Sequence, residues 1–319
     1  MIKHTLLRFT SLIILAMAFS ALAYAVPQRT FVSAQTGNDA NVAADCSITQ
    51  PCRNFNAAVG VVAAGGEVVA LDSGGYGPTT ISKAVALTSP LGVYAAITAL
   101  TAKSSAITIT AASTDTVVLR GLTLTGLGGE TGVNVTSVGN LHVEGCVISG
   151  FSDIGIYVNL AADGSHIFVK DTITRNNVNA GIEIHTSTGT VRASIDNSRS
   201  ERNGAAGFLA YLNSRVTINR TVASGNGGAG FQVLSDVSGV IAELNCEECV
   251  SNNNDFGFVV NTTASGVATI RVSHSTATNN TSVGFSQGST GVFESLTNNL
   301  VRGNTGGNST GTISGVSPL

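Results

Sequence analysis

Three residues of this 319-residue chain have side chains that could act together on a charged substrate: Arg220, Glu247 and His274. They belong to a series ten residues ahead of a recurring glycine, Gly145, Asp171, Asn197, Arg220, Glu247 and His274. If successive repeats stack as neighbouring strands do, consecutive members lie ~5 Å apart. A guanidinium, a carboxylate and an imidazole in a row suit an acidic polysaccharide. Arg220 would grip a uronate carboxylate through two parallel hydrogen bonds, and Glu247 or His274 would move a proton. A plainer reading competes with this one. Asp and Asn at such a position bond their own backbone in turns, and Arg220–Glu247 would then be an exposed pair of little energetic weight.

Other candidates are smaller. Glu183 and His185 sit two apart, so strand alternation turns both outward as an exposed acid–base pair. His142 and His166 fall near strand starts. Cys246 and Cys249 form a Cys-x-x-Cys, with no second pair at a zinc spacing. No helix N-terminus is expected there to activate a thiol. Cys249 is expected in an inward column with Val147, Ile173 and Val222, with Cys246 near a turn and Cys146 a small buried apolar residue. Neither a calcium-loop nor a zinc-protease pattern occurs, so no metal or cofactor is expected.

What positions these residues is a repeat. Gly132, Gly155, Gly181, Gly207, Gly230, Gly257 and Gly284 recur at spacings of 23, 26, 26, 23, 27 and 27 residues. Each is followed by an apolar residue, and the last four of these are Phe208, Phe231, Phe258 and Phe285. Four residues ahead of the glycine stand Asn177, Asn203, Asn226, Asn253 and Asn280. Apolar residues alternate within short runs, and no helical segment intervenes. Such a period of ~25 residues is one coil of a parallel β-solenoid. The chain from 67 to 319 is therefore expected to be a single-stranded parallel β-helix, all-β in class. The phenylalanines should stack inside, and the asparagines should form an amide ladder at one turn.

The chain ahead of the coils reads differently. Residues 1–25 have the form of a secretory signal peptide, with Lys3 and Arg8, an apolar run from Leu12 to Phe19 and a small-x-small site ending at Ala25. That predicts a secreted mature chain, periplasmic or extracellular. Removing Lys3 and Arg8 leaves 14 basic residues against 19 acidic ones, a net −5, which argues against nucleic acid as a partner. No later run is apolar enough to span a membrane. Residues 26–66 read as a strand from Arg29 to Ser33, a polar loop, and an amphipathic helix over 51–64 that would cap the open end of the solenoid. Cys46 and Cys52, in an exported chain just before that helix, are expected to be bonded. Only 11% of residues are charged, which suits columns of small and β-branched residues with Ser, Thr and Asn outside.

The run Arg29-Thr-Phe-Val-Ser, the segment Cys46-Ser-Ile-Thr-Gln-Pro-Cys52 followed by Arg53-Asn-Phe-Asn-Ala-Ala, and Asp72-Ser-Gly-Gly-Tyr-Gly resemble secreted bacterial right-handed parallel β-helix proteins of the pectin-lyase-like superfamily. The resemblance implies a right-handed coil. It reaches a superfamily that includes polysaccharide lyases, glycoside hydrolases and adhesins, through a group without an assigned activity. The polygalacturonase pattern of Asn-Thr-Asp, Asp-Asp and Gly-His-Gly is missing, as is the Asp-Pro-His-Asp of alginate epimerases. The expectation is a secreted, non-catalytic scaffold that binds glycan or acts at the cell surface or matrix. The alternative is a lyase-like enzyme acting on an acidic glycan with Arg220, Glu247 and His274.

Overall fold

The computed structural model describes residues 26–317 apart from 162 and 264. The expected signal peptide at 1–25 lies outside the described residues. The rest coils into three parallel sheets of twelve, ten and ten strands, here called A, B and C. Each strand pairs with its counterpart one coil away.

One coil shows how sequence becomes structure. His166–Lys170 lies in sheet A and Ile173–Arg175 in sheet B, and Ile182–Thr186 lies in sheet C. The alternation His-Ile-Phe-Val-Lys puts Ile167 and Val169 inside and the other three side chains outside. Between sheets A and B the chain turns through Asp171 (φ 51°) and the buried Thr172. Between B and C it turns through Asn176 (φ 55°) and the buried Asn177. A left-handed residue followed by a buried polar one is thus the corner device, used twice per coil.

The interior follows the expected columns. Phe208, Phe231, Phe258 and Phe285 are in register and buried, with ring centroids 5.1, 4.8 and 5.5 Å apart. The amide ladder runs through Asn177, Asn203, Asn226, Asn254, Asn280 and Asn304; the Asn177 oxygen accepts from the Phe151 N–H, and each later oxygen accepts from the backbone N–H and the side-chain amide of the asparagine one coil back. Asn254, not Asn253, holds the fourth place. Asn253 is the exposed left-handed residue before it (φ 54°). In that coil three residues, rather than four, separate the ladder asparagine from its glycine.

The same slip moves Cys249 of the Cys-x-x-Cys. Cys246 is an inward residue of sheet A between Ile218 and Val272, two residues ahead of the left-handed corner residue Glu248 and so near the turn as expected. Val250 takes the column of Val222. Cys249 is the buried corner residue beside it, and the two sulfurs are bonded with Cα atoms 5.9 Å apart. Cys146 is free and buried.

The N-terminal end is closed by helix α1, Phe55–Val61, with Phe55, Ala58 and Val59 buried. It is shorter than the periodicity predicts. Cys52 exchanges backbone hydrogen bonds with Phe31 and Ser33, which holds the chain extended there. Asp39 Oδ1 accepts from the amides of Arg53 and Asn54 at 2.8 and 2.9 Å. Cys46 and Cys52 are bonded, with Cα atoms 4.9 Å apart. Tyr76 is fully buried against Phe55 and donates to Asp72, which also accepts from Ser33 and the Ala34 amide. At the other end, Leu300–Arg302, Gly307–Thr310 and Ile313–Gly315 are the outermost strands, and most of their residues are half-exposed or exposed.

Candidate functional site

The structure separates the three residues singled out by spacing. Arg220 (φ 45°) and His274 (φ 44°) are left-handed corner residues between sheets A and B. Glu248 (φ 53°) takes the corner position in the intervening coil. Glu247 is one residue earlier, in sheet A, paired with Asn219 and Ser273. The reason is again the coil that carries its extra residue ahead of the corner. Arg220 reaches back to Asp196, not forward to Glu247. His274 Nδ1 contacts Glu247 Oε1 at 2.6 Å, with both side chains well exposed, at 62% and 44%. The column is therefore two separate surface pairs, each of the kind worth under ~1 kcal/mol.

Both pairs border a wider feature, the outer face of sheet A. Its strands present three outward columns. The first holds His166, Arg192 and Arg215, exposed and in register on three successive coils. None of the three forms an ion pair among the described residues. The next carboxylate in that column, Glu243, is turned to Arg271 at 3.8 Å. Like charges placed directly opposite cost up to ~1 kcal/mol per pair. This column therefore does not stabilise the sheet.

The middle column begins with rings. His142 stacks on Phe168 with centroids 4.7 Å apart, and His166 flanks Phe168 at 6.4 Å. Phe168 is 37% exposed although it is apolar. The column continues with Ser194, Thr217 and Asn245 and is closed by Arg271, which pairs with Glu294 at 2.6 Å. The third column carries Lys170, Asp196, Asn219 and Glu247. Two depressions of about 220 and 200 Å³ lie along this face, one over Phe168 and Ser194, the other over Thr217 and Asn245. The result is a shallow trough parallel to the solenoid axis, with an aromatic platform at one end and a hydroxyl and amide floor; the basic rail borders that floor on one side, and both depressions lie on the other, against Lys170, Asp196 and Glu247.

Sequence reasoning passed over this trough because it is two-dimensional. Its residues are 23 to 28 apart in the chain, and only the strand register brings them side by side. The signal that could have found it is the run His166, Arg192, Arg215 at the first outward position of successive sheet A strands.

Glu183 and His185 are also corrected. They project from sheet C, but their side chains are only 13% and 12% exposed. Tyr157 and Tyr211 lie edge-on to the imidazole, with centroids at 5.5 and 5.3 Å. His185 Nδ1 is 3.3 Å from Glu183 Oε1 without hydrogen-bond geometry. Tyr211 donates to Asp236, and burial followed by that carboxylate pushes its phenol up to about 12. This partly buried acid–base pair lies on a different sheet from the basic rail.

Among the described residues no His, Cys, Asp and Glu cluster could hold a metal ion. No helix among the described residues is long and apolar enough to cross a membrane.

Three parallel sheets stacked coil on coil, with ladders at the corners, define the class of β-helix proteins. Residues 131–306 match the family model described as "Right handed beta helix region", and the chain belongs to that family. Its fold is that of the pectin-lyase-like proteins. A crystal structure of pectate lyase Pel9A is similar at 16% identity and a TM-score of 0.54, covering 92% of this chain and 78% of that one. A rhamnogalacturonan lyase is similar at 13% identity and a TM-score of 0.52, covering 84% and 73%. At these identities the likeness is one of fold. No curated protein matches the chain.

Proposed function

We propose that this protein is a glycan-binding β-helix scaffold that holds an acidic polysaccharide lengthwise in the trough of sheet A. The observation that carries the reading is the unneutralised column His166, Arg192, Arg215 beside the exposed ring of Phe168. Uronate carboxylates spaced along a polymer match cations spaced at ~4.8 Å per coil. A sugar ring can lie on Phe168, and Ser194, Thr217 and Asn245 offer hydroxyl and amide partners to its hydroxyls. The two lyase structures support a polysaccharide as the ligand class through fold alone.

Binding of the purified chain to polygalacturonate tests the reading. Arg192→Ala with Arg215→Ala should weaken it at least tenfold, and added salt should weaken it further, because exposed charges are screened. Equal affinity in parent and double variant would sink the proposal. A second reading, a lyase acting on the same polymer, has the Glu247–His274 contact at the edge of this face in its favour. It requires unsaturated products from the parent and none from His274→Ala. Absence of such products under conditions where polymer is bound keeps the scaffold reading.

A further inference from the structure

A depression larger than either of those on sheet A lies on another face, at a corner residue without a side chain. The corner between sheets B and C repeats a left-handed residue once per coil. The series is Gly150, Asn176, Arg202, Gly225, Asn253, Asn279 and Gly303. Gly225 is the one glycine inside it, between Arg202 and Asn253, and carries no side chain into the space between them. A Cβ built at Gly225 would meet only Arg202, its Cγ at 3.4 Å and its backbone N at 4.0 Å, which is ordinary contact. The notch has a volume of about 490 Å³ and is bounded by Arg175, Glu201, Arg202 and Ser224, with Asn176 and Asn253 at its ends.

The charges around the notch are unbalanced. Arg175 and Arg202 make no ion pair among the described residues. Glu201, which also borders it, is held by Arg199 through Nε at 2.6 Å. The backbone amides at the rim are already used: Asn176 donates to Glu201, Arg202 to Ser224 and Gly225 to Asn252. Recognition must therefore come from side chains, and these are two guanidiniums, a hydroxyl and two amides. A space of this size falls in the range that takes one small ligand, ~300–1,000 Å³. Guanidiniums match planar or tetrahedral oxyanions through paired hydrogen bonds.

We infer that the Gly225 notch is a binding site for a single sugar ring bearing an anionic group, a carboxylate or a sulfate, gripped by Arg175 and Arg202. The sheet A trough is built for a polymer running across coils. This notch lies between Asn176 and Asn253 and suits a terminal or side-branch sugar. The inference takes its ligand class, a sugar, from the glycan reading above, and takes its place and its anion grip from sheet B and the adjoining corner, so it does not fall with the trough.

The test uses the full mature chain and three probes: galacturonate, a monosulfated galactose and neutral galactose, titrated by calorimetry or NMR. Gly225→Asn fills the notch with a residue that already adopts the same left-handed conformation at 176, 253 and 279 in this column, so folding is retained. Arg175→Ala with Arg202→Ala removes the grip without adding bulk. The parent should bind at least one anionic probe, both variants should lose at least tenfold in affinity, and Arg192→Ala with Arg215→Ala should leave it unchanged. A preference between the two anionic probes identifies carboxylate or sulfate as the group held. No binding by the parent overturns the inference, as does equal binding of neutral galactose. Unchanged affinity in the Arg175/Arg202 double variant overturns it even if Gly225→Asn fails to fold. Loss of binding on changing Arg192 and Arg215 instead assigns the sugar to the trough and also overturns it.

Discussion

The two tight corners of each coil solve one problem with different chemistry. Each turns the chain with a left-handed residue and then buries a polar side chain that accepts a backbone N–H from the coil before. Between sheets B and C that side chain is an asparagine. Its oxygen accepts from a backbone amide and from the previous asparagine, while its nitrogen donates to the next asparagine and to a carbonyl, as at Asn226. Between sheets A and B it is Thr172, Ser198, Thr221 or Ser275, and the disulfide-bonded Cys249 takes the same position in its coil. A hydroxyl there accepts one backbone amide and spends its proton on a carbonyl two residues earlier. The amide corner is thus a continuous chain of side chains, and the hydroxyl corner is a set of local clasps. Continuity should make the first intolerant of change, and locality should let the second accept Thr, Ser or Cys. The residues outside it, from Gly145 to Arg220 and His274, are equally varied.

Substitutions can break this contrast. The largest effect is expected at Asn226→Ala. It leaves the buried Asn203 backbone N–H without its partner and takes one hydrogen bond each from the Asn203 side-chain amide, the Ser200 carbonyl and the Asn254 oxygen, and a buried group left unpaired costs ~1–3 kcal/mol. A fall in unfolding free energy of about 3 kcal/mol in denaturant melts is the expected result, and a loss below 1 kcal/mol would show that the ladder is not cooperative. Thr221→Val at the other corner strands only the Ser198 amide and should cost about 1 kcal/mol. A loss as large as that at Asn226 would erase the distinction.

The smallest effect concerns Cys146, which holds the hydroxyl-corner position without a hydroxyl. Burial pushes its thiol up from 9.0 to about 11. A folded pKa above the unfolded one means the folded chain keeps a proton that the unfolded chain loses. Its contribution is complete below pH 9.0 and lost as the pH rises towards about 11. Relative to the parent, Cys146→Ser should therefore show a shallower decline in stability across that interval. Identical slopes would place the alkaline loss elsewhere, and Tyr76, also pushed up to about 12, would be the group to replace next.

The same corners explain what could be read from sequence. The glycine and phenylalanine columns are legible because both sit in sheet C, where a residue's column follows from its distance to the glycine. Gly132 to Gly284 have neighbouring backbone or side chains within 3 Å of where a Cβ would be, so no other residue fits, and the repeat is visible letter by letter. The register of sheets A and B is not legible from the same anchor. In the coil of Gly257 one residue is added ahead of the corner at Glu248 and one is lost after Asn254. Counting back from the glycine then lands on Glu247, Asn253 and Cys249 when the columns hold Glu248, Asn254 and Val250. A second anchor, the left-handed corner, was hidden because Gly, Asn, Asp, Arg, Glu and His all occupy it. The trough and the notch depend on that register, and they emerged only with the paired strands.

The alignment of the trough with the solenoid axis has a mechanical consequence. Each coil touches only its neighbours, so resistance to bending and sideways slip is set by the weakest junction in the series. A stiff polymer lying across the coils from His142 to Asn245 would join non-adjacent coils in parallel with those junctions. The ligand would then act as a splint, and the rigidity of the complex would be shared between protein and polysaccharide.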